Sequence, residues 1–163
     1  IYGLISNAGS GKLDSLENFS PKQISEFISL NLNSHIIITR LLLPYFKTNN
    51  NGFLIYVGSE ASYKVGKYGS IYSACKFGLR GFVKSIRIET SLNNIKVTQI
   101  NPGIVKTPFY NNLKIFPGTK YDEFIEPNDI ANIVIEVLKM RSGSVIDEIN
   151  LTSQKRVINF KSK

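Results

Sequence analysis

Apolar residues come along this chain in two rhythms. Four short runs are too apolar to alternate cleanly: YGLISN at 2–7, FLIYVGS at 53–59, IKVTQINPG at 95–103 and SVIDEINL at 144–151. They read as buried strands. Between them lie stretches with helical periodicity. Ser20-Pro21-Lys22-Gln23 is a helix start, with a serine cap, proline at the first helical position and glutamine three residues after the cap. The pattern predicts a helix from there to about Phe46, stopped by Asn-Asn-Asn-Gly at 49–52, and a second over 70–92 after a loop with Gly66 and Gly69. Pro127 opens another, with Ile130, Ile133, Val134, Val137 and Leu138 on one face. Residues 104–126 are irregular and rich in aromatics. Long helices between short apolar strands predict parallel βαβ units, an α/β fold whose sheet is covered on both faces. Ligands of such sheets bind beyond the carboxyl ends of the strands. Asn7-Ala8-Gly9, Ser59 and Pro102-Gly103 all stand there.

Composition narrows the classes. At 163 residues and 42% hydrophobic, the chain suits one domain with a proper core. No apolar run approaches the roughly 18 residues of a membrane span. One Cys and one His leave no disulfide framework and no metal site. A Ser-His-Asp triad would hang entirely on His35, which reads as a partly buried helix residue with no role. The net charge of +8 invites a nucleic-acid reading. Residues 1–81 carry eight Lys/Arg against four Asp/Glu, and residues 82–163 twelve against eight. Lys155, Arg156, Lys161 and Lys163 account for the surplus of the second half. Without a basic stripe interleaved with aromatics, this is a background with a solvated basic tail over 152–163, and no nucleic-acid partner is expected. The chain opens on Ile1 inside a strand, so the natural N-terminus is expected upstream and any targeting signal is unreadable.

Gly9-Ser10-Gly11-Lys12 imitates a phosphate-binding P-loop, but Ser6 stands where the first glycine belongs and Leu13 where the hydroxyl belongs. Tyr-x-x-x-Lys carries more. A Tyr and a Lys four apart on a helix share a face, and the ammonium favours the phenolate, lowering the phenol pKa towards a value useful for proton transfer. The pattern occurs three times, at Tyr63/Lys67, Tyr72/Lys76 and Tyr110/Lys114, and only Tyr72 opens a long helix. There Tyr72, Lys76, Leu79, Val83 and Ile86 form one stripe, so Lys76 occupies a core position: either it snorkels, or it is held against Tyr72 for chemistry. Ser59 ends a strand thirteen residues before Tyr72: taken alone it reads as an ordinary strand-end serine, and beside the phenol it would make a second donor to one carbonyl oxygen. Asn31 lies on the face marked by Ile24, Phe27, Ile28 and Ile38, either as a satisfied packing amide or as a functional one.

Together these residues resemble the short-chain dehydrogenase/reductase family over nearly the whole chain. Asn7-Ala8-Gly9 matches the family's Asn-Ala-Gly, and Pro44 closes the segment of the helix Asn. Asn31, Ser59, Tyr72 and Lys76 match the catalytic tetrad, and Pro102-Gly103-Ile104-Val105-Lys106-Thr107 matches Pro-Gly-x-Val-x-Thr. The resemblance implies a Rossmann-like doubly wound parallel sheet and hydride transfer between NADP or NAD, with NADP favoured, and a small carbonyl or alcohol substrate. Tyr72 would exchange the proton and Ser59 would hold the substrate oxygen. Lys76 would bind the nicotinamide ribose and depress the Tyr72 pKa, and Asn31 would keep a relay water. Ile104 and Thr107 would hold the carboxamide, behind Pro102-Gly103, and Asn7, with Ala8 and Gly9, would sit near the ribose.

The family's Thr-Gly-x-x-x-Gly-x-Gly turn and the residue that sorts NAD from NADP are not in the sequence. Residues 1–151 are therefore expected to be the carboxyl-terminal two-thirds of one such domain, with an unpaired edge on the strand at 2–7. Phe109, Tyr110, Phe116 and Tyr121 suggest either an apolar or aromatic-lined pocket or a surface loop anchored by aromatics, and the resemblance also implies a substrate lid at 107–126. It implies a cytoplasmic protein that assembles with copies of itself through helices 21–46 and 70–92. GSEAS, KFGLRGF and DEINL look like the branch that acts on 3-hydroxy or 3-oxo acids. Two readings stay open: an oxidoreductase, or a non-catalytic interaction module that binds dinucleotide poorly.

Overall fold

The computed structural model describes residues 1–161. Strands β1 (Gly3–Ser6), β2 (Gly52–Val57), β3 (Ile95–Pro102) and β5 (Glu148–Leu151) form one parallel sheet in the order β1-β2-β3-β5. Helices α1 (Pro21–Ile28), α2 (Ser34–Thr48), α3 (Ser70–Glu89) and α4 (Pro127–Lys139) cover it, and β4 (Ile115–Pro117) pairs antiparallel with β6 (Ile158–Phe160). Alternation along β2 sends successive side chains to opposite faces. Leu54 and Tyr56 join Phe46, Leu79, Val83, Ile86 and Val97 under α2 and α3, while Ile55 joins Ile100 and Val137 under α4. Helices on both faces of a parallel sheet make the expected α/β, Rossmann-like fold. Among the described residues β1 pairs only with β2, and Ile5 on it is 55% exposed. No helix among them is long and apolar enough to cross a membrane.

The registers Ser6↔Tyr56, Val57↔Ile100 and Pro102↔Leu151 bring the carboxyl ends of all four strands to one edge. Arg80 clamps α3 to β5, with Nε and Nη2 each 3.0 Å from a Glu148 carboxylate oxygen. Gly58, just past β2, has no room for a side chain. A Cβ there would lie 2.5 Å from Gln99 Nε2 and would overlap Asn101 Oδ1. Gly58→Ala is expected to cost about 1–3 kcal/mol, read as a lower urea midpoint at unchanged slope.

The Ser20 cap forms as the sequence predicts: Gln23 N–H donates to Ser20 Oγ at 3.2 Å and Ser20 N–H to Gln23 Oε1 at 3.0 Å. The helix predicted over 21–46 is not uniform, because a π-helical turn at Ser29–Asn33 separates α1 from α2. Such a turn spends an extra residue and rotates everything after it. Ile38, expected on the buried face, is 37% exposed, while His35, Thr39 and Phe46 point inward. His35 is buried rather than partly buried.

The last strand starts at Glu148 rather than 144. The segment read as a solvated basic tail is built into the fold. Lys155 Nζ lies 2.7 Å from Asp122 Oδ2, β6 pairs with β4, and Lys161 Nζ donates to the Asn111 carbonyl at 2.7 Å. Residues 152–161 thus strap the 107–126 segment down. Lys163, the fourth charge of that tail, lies outside the described residues.

Candidate active site

Ser59 follows Gly58 in extended backbone (φ −170°), and its Oγ accepts the Ala61 N–H at 3.1 Å. The short turn Glu60–Ser62 is held by a buried amide network. Ser62 Oγ and Gln99 Nε2 donate to Asn101 Oδ1 at 3.1 and 2.8 Å, and Asn101 Nδ2 donates to Glu148 Oε1 and Asn150 Oδ1 at 3.0 Å each. Every member has a partner, which makes the turn bearing Ser59 rigid.

Tyr72 sits in the first turn of α3 with its ring 6.3 Å from those of Phe27 and Phe109. One turn on, Lys76 is 4% exposed, its Nζ 5.7 Å from the Tyr72 ring centroid and 3.5 Å from the Val57 carbonyl. It is therefore held against Tyr72 and does not snorkel. Burial pushes the Lys76 pKa down to about 8. The Tyr72 phenol departs from the expected direction: burial pushes it up, and the neighbouring Ser59 hydroxyl pulls only partly the other way. The ammonium faces the ring and the Val57 carbonyl, so desolvation outweighs any help it gives the phenolate.

Asn31, in the π-helical turn, is fully buried. Its Oδ1 accepts the Ser10 N–H at 3.1 Å and its Nδ2 donates to the Phe27 carbonyl at 3.0 Å. The amide therefore ties the turn after β1 to the helix. Gly9 passes between it and the lysine: a Cβ there would lie 3.1 Å from Asn31 Oδ1 and 3.8 Å from Lys76 Nζ. His35, one turn further, has Nδ1 2.6 Å from Ser6 Oγ. Burial first, and Lys76 second, hold its pKa below the usual value.

Ser59, Tyr72, Gly103 and Ile104 open into one cleft of about 890 Å³. Phe109 and Tyr110 line it as expected; Phe116 and Tyr121 do not, and Tyr121 is 89% exposed. Ile158 and Phe160 of the strap supply apolar wall instead. Asn31 and Lys76 do not line the cleft, and Asn7 and Ala8 are exposed beyond β1. Pro102 is buried at the end of β3. Thr107 caps the turn Pro108–Tyr110, its Oγ1 accepting the Phe109 N–H at 3.4 Å.

A family model described as short chain dehydrogenase matches residues 1–116. The chain belongs to the short-chain dehydrogenase family. This short-chain dehydrogenase is 29% identical over 152 residues to a sepiapterin reductase of Chlorobaculum tepidum, covering 91% of this chain and 59% of the relative. It is 30% identical over 152 residues to an NADP-dependent 3-hydroxy acid dehydrogenase of Schizosaccharomyces pombe, covering 88% and 58%. The structure of an alcohol dehydrogenase from the archaeon Thermococcus sibiricus complexed with 5-hydroxy-NADP superposes with a TM-score of 0.83 at 26% identity, over 96% of this chain and 65% of that one. The chain spans about three-fifths of the length of the curated relatives it matches.

Three features of this short-chain dehydrogenase escape a motif search. Gln99 and Asn101 left a signal, two amides at alternate positions of a strand otherwise read as buried. The π-helical turn and the strap left none.

Proposed function

We propose that this chain carries the catalytic half of an NAD(P)-dependent oxidoreductase that reduces a carbonyl or oxidises a secondary alcohol. The observation that carries the reading is one cleft into which both Ser59 and Tyr72 open, with Lys76 buried against the Tyr72 ring. A phenol raised by burial keeps its proton at neutral pH, which suits Tyr72 to donate that proton to a substrate oxygen as reduction proceeds. Ser59 holds the same oxygen from the strand end, and Asn31 fixes the turn that carries Asn7. A relay water kept by Asn31 belongs to this proposal.

The residues present fit the nicotinamide half of a dinucleotide. Among the described residues the Lys76 ammonium makes one long hydrogen bond, at 3.5 Å, and has donors to spare for ribose hydroxyls. Gly9 leaves open the space beside it that a Cβ would take. Lys76 and Asn7 would hold the ribose, and Ile104 and Thr107 the carboxamide; the bound nicotinamide would supply or accept the hydride. NADP is favoured, on the strength of the fission-yeast relative and the archaeal complex. Leu30 and Leu41 on the first helical segment and Phe77 on α3 are 41%, 59% and 43% exposed, which supports self-association through helices 21–46 and 70–92.

Fluorescence titration of the 163-residue chain with NADPH and NADH tests the cofactor. Binding of either in the micromolar range supports the reading. Absence of binding and of carbonyl turnover, both alone and when fused behind a βαβ unit with a glycine-rich turn, sinks it in favour of a non-catalytic module.

A further inference from the structure

The cleft that serves Ser59 and Tyr72 is electrically unbalanced. Four cations line it, Lys64, Lys67, Lys114 and Arg156, against two acids, Asp14 and Glu60. Lys114 lies 3.8 Å from Asp14, and Lys64 3.6 Å from Glu60. Among the described residues, neither Lys67 nor Arg156 has an acid within ion-pairing distance. The Lys64–Glu60 pair is itself loose at 3.6 Å, and the Lys64 ammonium, shielded from water, donates no hydrogen bond to any of the described residues. The charge of Glu60 and the face of the Tyr63 ring steady it, but no hydrogen bond replaces its lost water. An acceptor carried in by a ligand repairs that loss.

Lys64 follows the Glu60–Ser62 turn and Arg156 belongs to the strap, so two segments distant in sequence bring these cations to one cleft, and Tyr63 feels both. Lys64 Nζ is 5.6 Å from the Tyr63 ring centroid. Burial and Glu60 push the Tyr63 phenol up, and the charge of Arg156 pulls it back. The corner is also close to the reacting groups, because Glu60, the partner of Lys64, directly follows Ser59 and its charge acts on the Tyr72 phenol. Arg156 is not a loose tail residue. Its neighbour Lys155 is pinned to Asp122 at 2.7 Å, and β6 begins two residues later. Phe109, Leu113 and Val157 give the same cleft an apolar wall.

We propose that Arg156 and Lys64 form an anion-binding corner, so that the substrate is a carbonyl or alcohol compound with an apolar or aromatic body and an anionic group, carboxylate or phosphate. The word substrate rests on the oxidoreductase reading; the anion site itself rests on the charges of the cleft. The guanidinium offers two parallel donors to a carboxylate or phosphate, and the ammonium a third point of contact.

The test is a binding experiment on the 163-residue chain with 4-acetylbenzoate, its methyl ester and 4-acetylphenyl phosphate, followed by amide chemical shifts or calorimetry. The acid should bind roughly 10- to 100-fold tighter than the ester, the worth of a charge-assisted contact. Arg156→Gln should cut that preference to within about threefold, and Lys64→Met should reduce it further in the double variant. Arg156 is exposed, so the variants should fold, which circular dichroism checks. Whichever of the carboxylate and the phosphate binds more tightly names the natural anion. Equal binding of acid and ester, no binding of either anion, or a preference untouched in the double variant overturns the proposal. None of these outcomes needs turnover. A preserved acid preference without hydride transfer in any context would sink the oxidoreductase reading and leave the corner standing, and the reverse result would do the opposite.

Discussion

Tyr72→Phe should lower hydride transfer about 10²- to 10⁴-fold, the usual worth of a positioned general acid, in whichever polypeptide turns over, the 163 residues alone or fused behind a dinucleotide-binding unit. The loss should fall on kcat, with KM nearly unchanged, because the variant removes one oxygen and keeps the ring between Phe27 and Phe109. The phenol is held above its ordinary value by burial, so the wild-type rate of carbonyl reduction should not fall through neutral pH on account of Tyr72. Steady-state rates on an aromatic ketone panel, for both chains across pH 6 to about 9, check both statements. A variant within threefold of wild type would remove Tyr72 from the chemistry. Equal rates with a displaced KM would leave it a binding group only.

The parts of this site that were legible in the sequence are those governed by local spacing. Tyr72 and Lys76 share a helix face by period alone, and the stripe they form with Leu79, Val83 and Ile86 puts the lysine at a core position, to snorkel or to be held there; at 4% exposure it is held there. Ser59 could be placed because it ends the apolar run FLIYVGS, and β2 does stop just before it, at Val57. What failed depends on distant partners. The π-helical turn at Ser29–Asn33 adds a residue without a compositional mark, so Ile38 turns outward where uniform helical spacing would bury it. The strap has the charge of a solvated tail, and its three-residue strand shows itself only when β4, more than forty positions earlier, supplies the partner. A Tyr–Lys spacing specifies a neighbour but not the burial of both, and here burial raises the phenol instead of letting the ammonium lower it.

Lys76→Met should give a chain that is inactive and more stable. Held from 10.5 down to about 8 by burial, the ammonium costs the folded state about 3 kcal/mol wherever both folded and unfolded chains carry the proton. That condition is met below pH 8. Between pH 8 and about 10.5 the unfolded chain keeps a proton that the folded chain has released, so the cost fades and stability rises with pH. Met fills similar space without a charge, so the variant should exceed wild type by up to about 3 kcal/mol at pH 7. The advantage should shrink towards zero by about pH 10. The buried phenols shift the other way, and Tyr56 and Tyr110, pushed up to about 12, are common to both chains and cancel in the difference. Urea denaturation of both chains at pH 7 and at about pH 10 measures it. A stability gap that is the same at the two pH values would mean that Lys76 is not depressed. A gap that closes with pH, together with lost hydride transfer, would identify Lys76 as a residue kept for function at the expense of stability.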